Sequence, residues 1–276
     1  MDNRPIGVLD SGMGGLTAVR ELLQVLPHED IVYFGDTGRV PYGTRSAEIV
    51  TRYALQDINF LLGRQVKMVI AACGTVTTTL PSELTDRFDF PYTGVLHPTV
   101  RAALRATRNR KIGVIATATT IRTGAYEREL CKLDSNVQVF SKACPLFVPL
   151  VENGYTQRNN PVTSLVASEY LLPLKEMQID TLILGCTHYP VLAPIIGDIM
   201  GTDVTLIDSG KAAADYAKEL LLANNFLSDR SSAGKCSYFV SDAPEDFTRN
   251  ASIFLGEQFQ GQVSRIEITN YPDTIS

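Results

Sequence analysis

The feature of this sequence that most constrains its fold is the alternation of short apolar runs with segments of helical periodicity. The runs are apolar at both alternating positions, which is typical of strands that are covered on two faces. Strand–helix alternation of this kind predicts an α/β protein with mainly parallel sheets. The predicted strands are residues 6–10, 31–35, 67–72, 112–117, 137–140, 181–185, 204–208 and 263–268. Apolar residues at helical spacing predict helices within residues 16–26, 49–62 and 247–255, the second of them capped by Ser46.

Two pairs of short motifs recur in a palindromic order. The strands at residues 6–10 and 204–208 both lead into DSG. Between them, the strands at residues 67–72 and 181–185 each lead into a cysteine that is followed closely by threonine. The order DSG, CGT, CT, DSG favours a second α/β unit that is inserted between two parts of a first one.

Composition and charge argue against several classes of function. The net charge of −5 and the pI of about 5.3 do not suit a general surface for nucleic acid or for an acidic membrane. No apolar stretch approaches the ~20 residues of a membrane helix. The first residues lack a hydrophobic signal core, so we expect a cytoplasmic protein. The five cysteines are irregularly spaced without a CxxC pattern, which predicts neither a disulfide framework nor a metal site.

Hydroxyl, carboxylate and thiol side chains gather where the predicted strands end. Ligands of open α/β sheets bind beyond these carboxyl ends. No Lys or Arg lies at the exits, and the sequence contains no GxxxxGK[ST] loop. Gly12, Gly14 and Gly15 do not complete a dinucleotide-binding motif, because Thr17 stands where its last glycine would be, so DSGMGG is predicted to be a tight turn into a helix. The exits comprise residues 10–12, 35–37, 73–75, 117, 186–188 and 208–209.

Two of these exits carry a cysteine, and three kinds of chemistry fit the residues around them. Cys186 and His188 could form a nucleophilic pair for acyl transfer, but this leaves Cys73 without a role. A redox or metal pair would need two close thiols and further ligands, and the sequence contains no pattern that indicates them. Proton transfer at a carbon acid uses both cysteines, because one thiolate removes a proton and the other thiol returns one on the opposite face. That reaction is a racemisation or epimerisation by two bases. The other three cysteines are assigned to packing.

Several motifs resemble those of bacterial glutamate racemases, cofactor-independent enzymes of the aspartate/glutamate racemase family that supply D-glutamate for peptidoglycan. The resemblance covers nearly the whole chain. The DSGxGG, DTxRxPYG and GCTHYP blocks jointly separate glutamate racemases from the aspartate racemase and decarboxylase relatives on the same fold. The matching segments are GVLDSGMGGLTAVREL (7–22), YFGDTGRVPYG (33–43), VIAACGT (69–75), GVIATATTI (113–121), CPLFVPLVENG (144–154) and LGCTHYP (184–190).

The resemblance implies two similar α/β domains that face one another, with the active site in the cleft between them. The first domain would comprise residues 1–97 and 210–276, and the inserted second domain residues 98–209, which agrees with the palindromic order. It further implies cofactor-independent interconversion of L- and D-glutamate, with glutamate as the ligand and neither nucleic acid nor a membrane as a partner. We expect a homodimer, the common arrangement among soluble oligomers.

The same resemblance assigns roles to individual residues. Cys73 and Cys186 would be the two acid/base thiols, with Asp10 assisting Cys73, and with His188 and Glu152 assisting Cys186. Hydroxyl and main-chain groups, rather than an arginine, would hold the carboxylates and the ammonium group of the substrate. The implied binding residues are Asp10, Ser11, Pro41, Tyr42, Gly43, Gly74, Thr75, Thr117, Thr187 and His188.

One position departs from the family pattern. The family usually has Cys-Asn-Thr where this chain has Cys73, Gly74 and Thr75, and glycine offers only its backbone for hydrogen bonding. A charge-assisted hydrogen bond contributes about 1.5–3 kcal/mol, so we expect binding to weaken roughly ten- to a hundred-fold unless water or another residue substitutes. Two alternatives stay open: a related racemase or decarboxylase acting on another carbon acid, such as aspartate or an aryl-malonate, and a non-catalytic regulator that binds glutamate.

Overall fold

The computed structural model describes residues 1–256, 259 and 261–275, and its strands form two parallel sheets. The strands are β1 (Ile6–Asp10), β2 (Ile31–Gly35), β3 (Met68–Ala71), β4 (Tyr92–Gly94), β5 (Lys111–Ala116), β6 (Gln138–Ala143), β7 (Thr181–Leu184), β8 (Thr205–Asp208), β9 (Cys236–Val240) and β10 (Val263–Arg265). The first sheet has the order β10-β9-β2-β1-β3-β4, and the second has the order β6-β5-β7-β8. Every neighbouring pair is parallel, as the doubly apolar runs predict.

Helices connect the strands and cover the sheets. They are α1 (Leu16–Val25), α2 (Ala47–Gly63), α3 (Gly74–Thr79), α4 (Ser82–Thr85), α5 (Leu96–Ala106), α6 (Ala118–Thr123), α7 (Ala125–Leu133), α8 (Phe147–Glu152), α9 (Pro161–Glu176), α10 (Ala193–Met200), α11 (Ser209–Ala223) and α12 (Pro244–Leu255). The predicted cap of α2 is confirmed, because the Ser46 side chain accepts a hydrogen bond from the Ile49 N–H at 3.3 Å. No helix among the described residues has both the length and the apolar character to cross a membrane.

The predicted strands are confirmed, with ends that differ from the observed ones by at most three residues. The prediction missed β4 and β9. Strand β4 has only three residues, which is below the length at which periodicity is informative. Strand β9 places a partly buried Cys236 and an exposed Ser237 at its start, so its apolar signal is weaker than that of the fully buried strands.

The sheets divide the molecule into two lobes. We call the first sheet with α1–α4, α11 and α12 the first lobe, and the second sheet with α5–α10 the second lobe. The first sheet takes its strands from both ends of the described chain and the second from the middle, in the order that the palindromic motifs predict. The exact domain boundaries, at 97/98 and 209/210, stay a prediction.

One apolar core runs across both lobes. Buried side chains of α1 and α12, such as Leu16 and Phe254, belong to the same cluster as Phe147 of α8 and Tyr189, which follows β7. Because this core joins the lobes on one side, the carboxyl ends of β1, β3, β5 and β7 meet on a common cleft.

Candidate active site

A cavity of about 420 Å³ lies between the lobes, where β1, β3, β5 and β7 end. Cys73 of the first lobe and Cys186 of the second lobe both line it. The other predicted site residues that line it are Ser11, Pro41, Tyr42, Gly43, Gly74, Thr75, Thr117, Glu152, Thr187 and His188. The fold thus brings together residues that are up to 177 positions apart in the chain, from Ser11 to His188.

Not every strand exit contributes to this cavity. Residues 35–37 lie at the end of β2 and residues 208–209 at the end of β8, and neither segment lines it. Strand β8 is the edge of the second sheet, and the Asp208 carboxylate there caps α11 by accepting hydrogen bonds from the N–H groups of Gly210 (2.7 Å) and Lys211 (3.1 Å). The general rule for strand exits therefore holds at β1, β3, β5 and β7 and fails at β2 and at the edge strand β8.

Cys73 stands between the end of β3 and the start of α3. Its thiol donates a hydrogen bond to Ser11 Oγ at 3.4 Å and is almost completely buried. Burial and the negative charge of Asp10 raise the pKa of the Cys73 thiol to about 12, against the lowering effect of the Ser11 contact. The thiol is therefore protonated at neutral pH in the free protein.

Asp10, the last residue of β1, lies beneath the lining of the cavity rather than in it. Its exposed fraction is 1%, and its carboxylate accepts a hydrogen bond from the Gly12 N–H at 3.0 Å. The other carboxylate oxygen, Oδ1, has no hydrogen-bond partner in the part of the chain that the structure describes. Burial raises the pKa of Asp10, while the nearby His188 lowers it. Its assistance to Cys73 and its contact with substrate stay predictions.

The second thiol belongs to a chain of three side chains. His188 Nδ1 lies 4.0 Å from Cys186 Sγ, and His188 Nε2 lies 3.0 Å from Glu152 Oε1. Burial lowers the pKa of His188, but the contacts with Cys186 and Glu152 outweigh it and raise that pKa to about 10. His188 is therefore an imidazolium cation at neutral pH. The two thiols therefore have opposite surroundings, a carboxylate beside Cys73 and a cation beside Cys186.

The first lobe supplies the surface against which the imidazole rests. A Cβ atom on Gly14 would lie 2.5 Å from His188 Nδ1, a contact that no side chain could make. The hydroxyl of Thr17 donates to the carbonyl of Thr187 at 2.9 Å, and the Phe254 ring meets the His188 ring edge-on at 5.2 Å between centroids. DSGMGG is the predicted turn into α1, and the structure adds a second reason for its glycine at position 14.

The turn at residues 40–44 forms another part of the wall, but the Tyr42 side chain points away from the cavity. Its hydroxyl is buried against the carboxylates of Asp36 and Asp57, so Tyr42 offers only main-chain groups to a ligand. The hydroxyl of Thr119 in the second lobe donates to the carbonyl of Gly43 and ties this turn to the opposite wall.

Several lining residues had not been predicted. Thr120 accepts a hydrogen bond from the Thr117 hydroxyl at 3.1 Å, which adds a hydroxyl to the polar wall, and Val148 and Pro149 form an apolar patch. Gly185, the residue before Cys186, also lines the cavity. Thr120 lies in the segment that resembles glutamate racemases, and its position three residues after the predicted Thr117 was the available signal.

Charged groups are few in this cavity. Among the described residues that line it, there is no Lys or Arg, and Glu152 and His188 are the ionisable groups besides the two thiols and the buried Tyr42. The described part of the chain also contains no cluster of three His, Cys, Asp or Glu side chains arranged to hold a metal ion. The fold and the site define a two-lobed α/β protein in which each lobe contributes one thiol to a shared cavity.

Comparison with known proteins identifies the family. The sequence profile described as Asp/Glu/Hydantoin racemase matches residues 11–217. A glutamate racemase of Geobacter metallireducens is 43% identical, with 96% of this chain and 97% of the relative covered. One from Streptococcus pneumoniae is 51% identical, with 82% and 83% covered. The chain therefore belongs to the Asp/Glu/hydantoin racemase family and is a racemase, an enzyme of the isomerase class.

Solved structures confirm the predicted fold class. The crystal structure of a glutamate racemase from Bacillus anthracis superposes with a TM-score of 0.91 at 38% identity, covering 96% of this chain and 98% of that one. A glutamate racemase from Francisella tularensis in complex with D-glutamate gives a TM-score of 0.89 at 37% identity, covering 98% and 100%.

Proposed function

We propose that this protein interconverts L- and D-glutamate by a two-base mechanism and supplies D-glutamate for peptidoglycan synthesis. The observation that carries the proposal is the placement of Cys73 and Cys186, from opposite lobes, on one cavity. Nucleophilic acyl transfer would use Cys186 and His188 and leave Cys73 idle. The similarity of this chain to proteins named glutamate racemases, one of them solved in complex with D-glutamate, favours glutamate as the substrate.

In the proposed reaction, the thiolate of Cys186 removes the α-proton of one enantiomer. The C–H bond breaks, its electron pair remains on the α-carbon and is delocalised into the carboxylate, and the proton passes to sulfur. The Cys73 thiol then donates its proton to the opposite face of the carbanion, which forms the other enantiomer and leaves a thiolate on Cys73. The second enantiomer reacts by the reverse sequence. Both proton transfers use side chains of the protein, so the route needs no cofactor.

Neutral groups would hold the charged substrate. The hydroxyls of Ser11, Thr75, Thr117 and Thr187 lie in the lining, and the first N–H groups of a helix such as α3 have no partner within that helix. Such donors are pre-oriented and bind carboxylates without a lysine or arginine. Because no Lys or Arg is among the described residues that line the cavity, the developing charge on the α-carboxylate is left to these hydrogen bonds.

The test is exchange and inversion at the α-carbon. Purified protein dialysed against a chelator is incubated with L-glutamate in D₂O, and proton NMR and chiral chromatography follow loss of the α-proton and appearance of D-glutamate. We expect both in the wild type, and loss of inversion in Cys73→Ala and Cys186→Ala. Cys131→Ala is the matched control, because Cys131 is exposed on α7 and does not line the cavity.

Three outcomes would contradict the proposal. Inversion that survives the loss of either lining thiol would exclude the two-base mechanism. Exchange with aspartate but not with glutamate would assign the protein to another carbon acid. Stabilisation by glutamate without any α-proton exchange would indicate a binding protein.

A further inference from the structure

The lobes come into close contact next to the two thiols. A Cβ atom on Gly74, the neighbour of Cys73, would lie 2.7 Å from the carbonyl oxygen of Gly185, the neighbour of Cys186. Carbon and oxygen atoms in contact are normally ~3.3 Å apart. Only glycine at position 74 therefore allows this approach.

Hydrogen bonds hold the main chain on both sides of this contact. The N–H of Gly185 donates to the Ile115 carbonyl at 2.8 Å, which fixes this segment to the second sheet. On the other side, the carbonyls of Cys73 and Gly74 accept hydrogen bonds from the Thr77 N–H (3.0 Å) and the Thr78 hydroxyl (2.9 Å) within α3. A side chain at position 74 would push the lobes apart by roughly 0.6 Å before the contact became ordinary.

Gly185 lines the cavity, and no donor in the described residues makes a hydrogen bond to its oxygen. An acceptor in a site for an amino acid suits the ammonium group, which has three N–H donors and no acceptor.

We propose that Gly74 lets the lobes meet main chain to main chain, and that the Gly185 carbonyl thereby accepts a hydrogen bond from the ammonium group of the substrate. The inference rests on the proposed function, since it concerns the same amino-acid site. It also accounts for the departure at position 74: the carbonyl of the opposite lobe substitutes for part of the hydrogen bonding that an Asn side chain would supply.

The test compares two ligands that differ at one group. Glutamate and glutarate have the same two carboxylates and chain length, but glutarate has no ammonium group. Calorimetric titration with racemic glutamate gives the dissociation constant of glutamate. A racemic mixture is used because turnover does not change its composition. Titration with glutarate gives the dissociation constant of glutarate. In Gly74→Ala we expect the affinity for glutamate to fall about tenfold, as for a lost hydrogen bond to a charged group, and that for glutarate to change less than about twofold.

Gly197→Ala is the matched control. Its new Cβ would lie 3.9 Å from the nearest atom, in Leu206, so neither affinity is expected to change. Equal weakening of both ligands, or of neither, in Gly74→Ala would overturn the inference. A crystal structure of the wild type with glutamate needs no variant: the substrate nitrogen must lie within ~3.2 Å of the Gly185 carbonyl oxygen, and a longer distance would refute the proposal.

The two proposals fail separately. A wild-type protein that binds glutamate without exchanging its α-proton would contradict the proposed function, and the comparison of glutamate with glutarate would still decide the role of Gly185. A wild-type protein that racemises glutamate but binds glutarate equally well would contradict only the inference.

Discussion

The geometry of a buried cluster beneath the cavity wall predicts which side chain holds a particular proton. The Tyr42 hydroxyl lies between the carboxylates of Asp36 and Asp57, and Arg39 donates to Asp36 at 2.6 Å and to Asp57 at 3.0 Å. One hydroxyl hydrogen cannot serve two carboxylates at once. Burial and the negative charge of Asp36 raise the pKa of Asp57 well above its usual value. Asp57 is therefore expected to be a neutral acid that donates to Tyr42, which in turn donates to Asp36.

The perturbation is Asp57→Asn, which replaces a neutral acid by a neutral amide of the same shape. Unfolded Asp57 ionises near pH ~3.9. Between that pH and the raised folded pKa, only the folded state holds the proton, so the free energy of unfolding of the wild type falls as pH rises, by about 1.4 kcal/mol per pH unit. Below the unfolded pKa this stabilisation is fully present, and above the folded pKa its loss is complete. Asn does not titrate, so the variant lacks this slope.

Asp36→Asn is the contrasting variant. It removes the anion that faces the mostly buried Arg39, and breaking such a pair typically destabilises by about 3–5 kcal/mol. The carboxyl-to-amide change is the same in both variants, but Asp36 also accepts a hydrogen bond from the Ser241 hydroxyl at 2.7 Å, so its replacement removes that contact as well as the ion pair with Arg39. Because Tyr42 belongs to the turn at residues 40–44, Asp36→Asn is also expected to raise KM.

Urea unfolding at several pH values from 5 to 8 measures these effects. The chain has no tryptophan, so far-ultraviolet circular dichroism is the appropriate signal. We expect the stability difference, wild type minus Asp57→Asn, to decrease with rising pH, and Asp36→Asn to unfold at much lower urea throughout. A difference that stays constant with pH, or equal destabilisation by the two variants, would refute the assignment of the proton to Asp57.

Three further predictions concern the support of the second thiol. Glu152→Gln should lower kcat/KM only about two- to five-fold, because Glu152 is 43% exposed and exposed ion pairs contribute ~1 kcal/mol or less. It should also lower the pH above which activity is lost, since Glu152 raises the pKa of His188, and an unchanged alkaline limb of the pH–rate profile would count against this contact. Gly14→Ala should displace the imidazole and reduce kcat by ~100-fold, with an unchanged thermal midpoint as the check that folding is intact; near-normal turnover would show that the imidazole tolerates the extra carbon. Thr17→Val keeps the shape but removes the hydroxyl that lies 2.9 Å from the carbonyls of both Thr187 and Gly14, so we expect a loss of about 1 kcal/mol in urea unfolding, and no loss would mean that these carbonyls find another donor.

Much of the fold could be predicted because the signals that define it are local. The runs that became β1, β3, β5 and β7 are buried on both faces, and that environment selects apolar residues at every position. The same local signal marks where each strand ends, and so it located Cys73 and Cys186 as candidates. Strands β4 and β9 escaped prediction because one is too short and the other is partly exposed.

Other features depend on which surfaces the fold brings together, and the sequence pattern does not contain them. Tyr42 lies in a motif that pointed to substrate binding, yet its hydroxyl lies between the carboxyl groups of Asp36 and Asp57, the latter supplied by α2, and faces away from the cavity. Phe254 meets His188 from a helix near the other end of the chain. Such contacts join residues that are distant in sequence, and periodicity reports only on neighbours.

The pattern of apolar residues is enough to predict a parallel α/β protein with one cysteine at each of two strand exits. The tertiary structure decided that both thiols share a single cavity, with Asp10 near Cys73 and the imidazole of His188 beside Cys186. It also shows why position 74 matters, because the carbonyl oxygen of Gly185 lies against the place where a side chain at position 74 would begin. Strand burial can be predicted because it selects the types of adjacent residues. The approach of the two lobes cannot, because it depends on packing between segments that lie far apart in the chain.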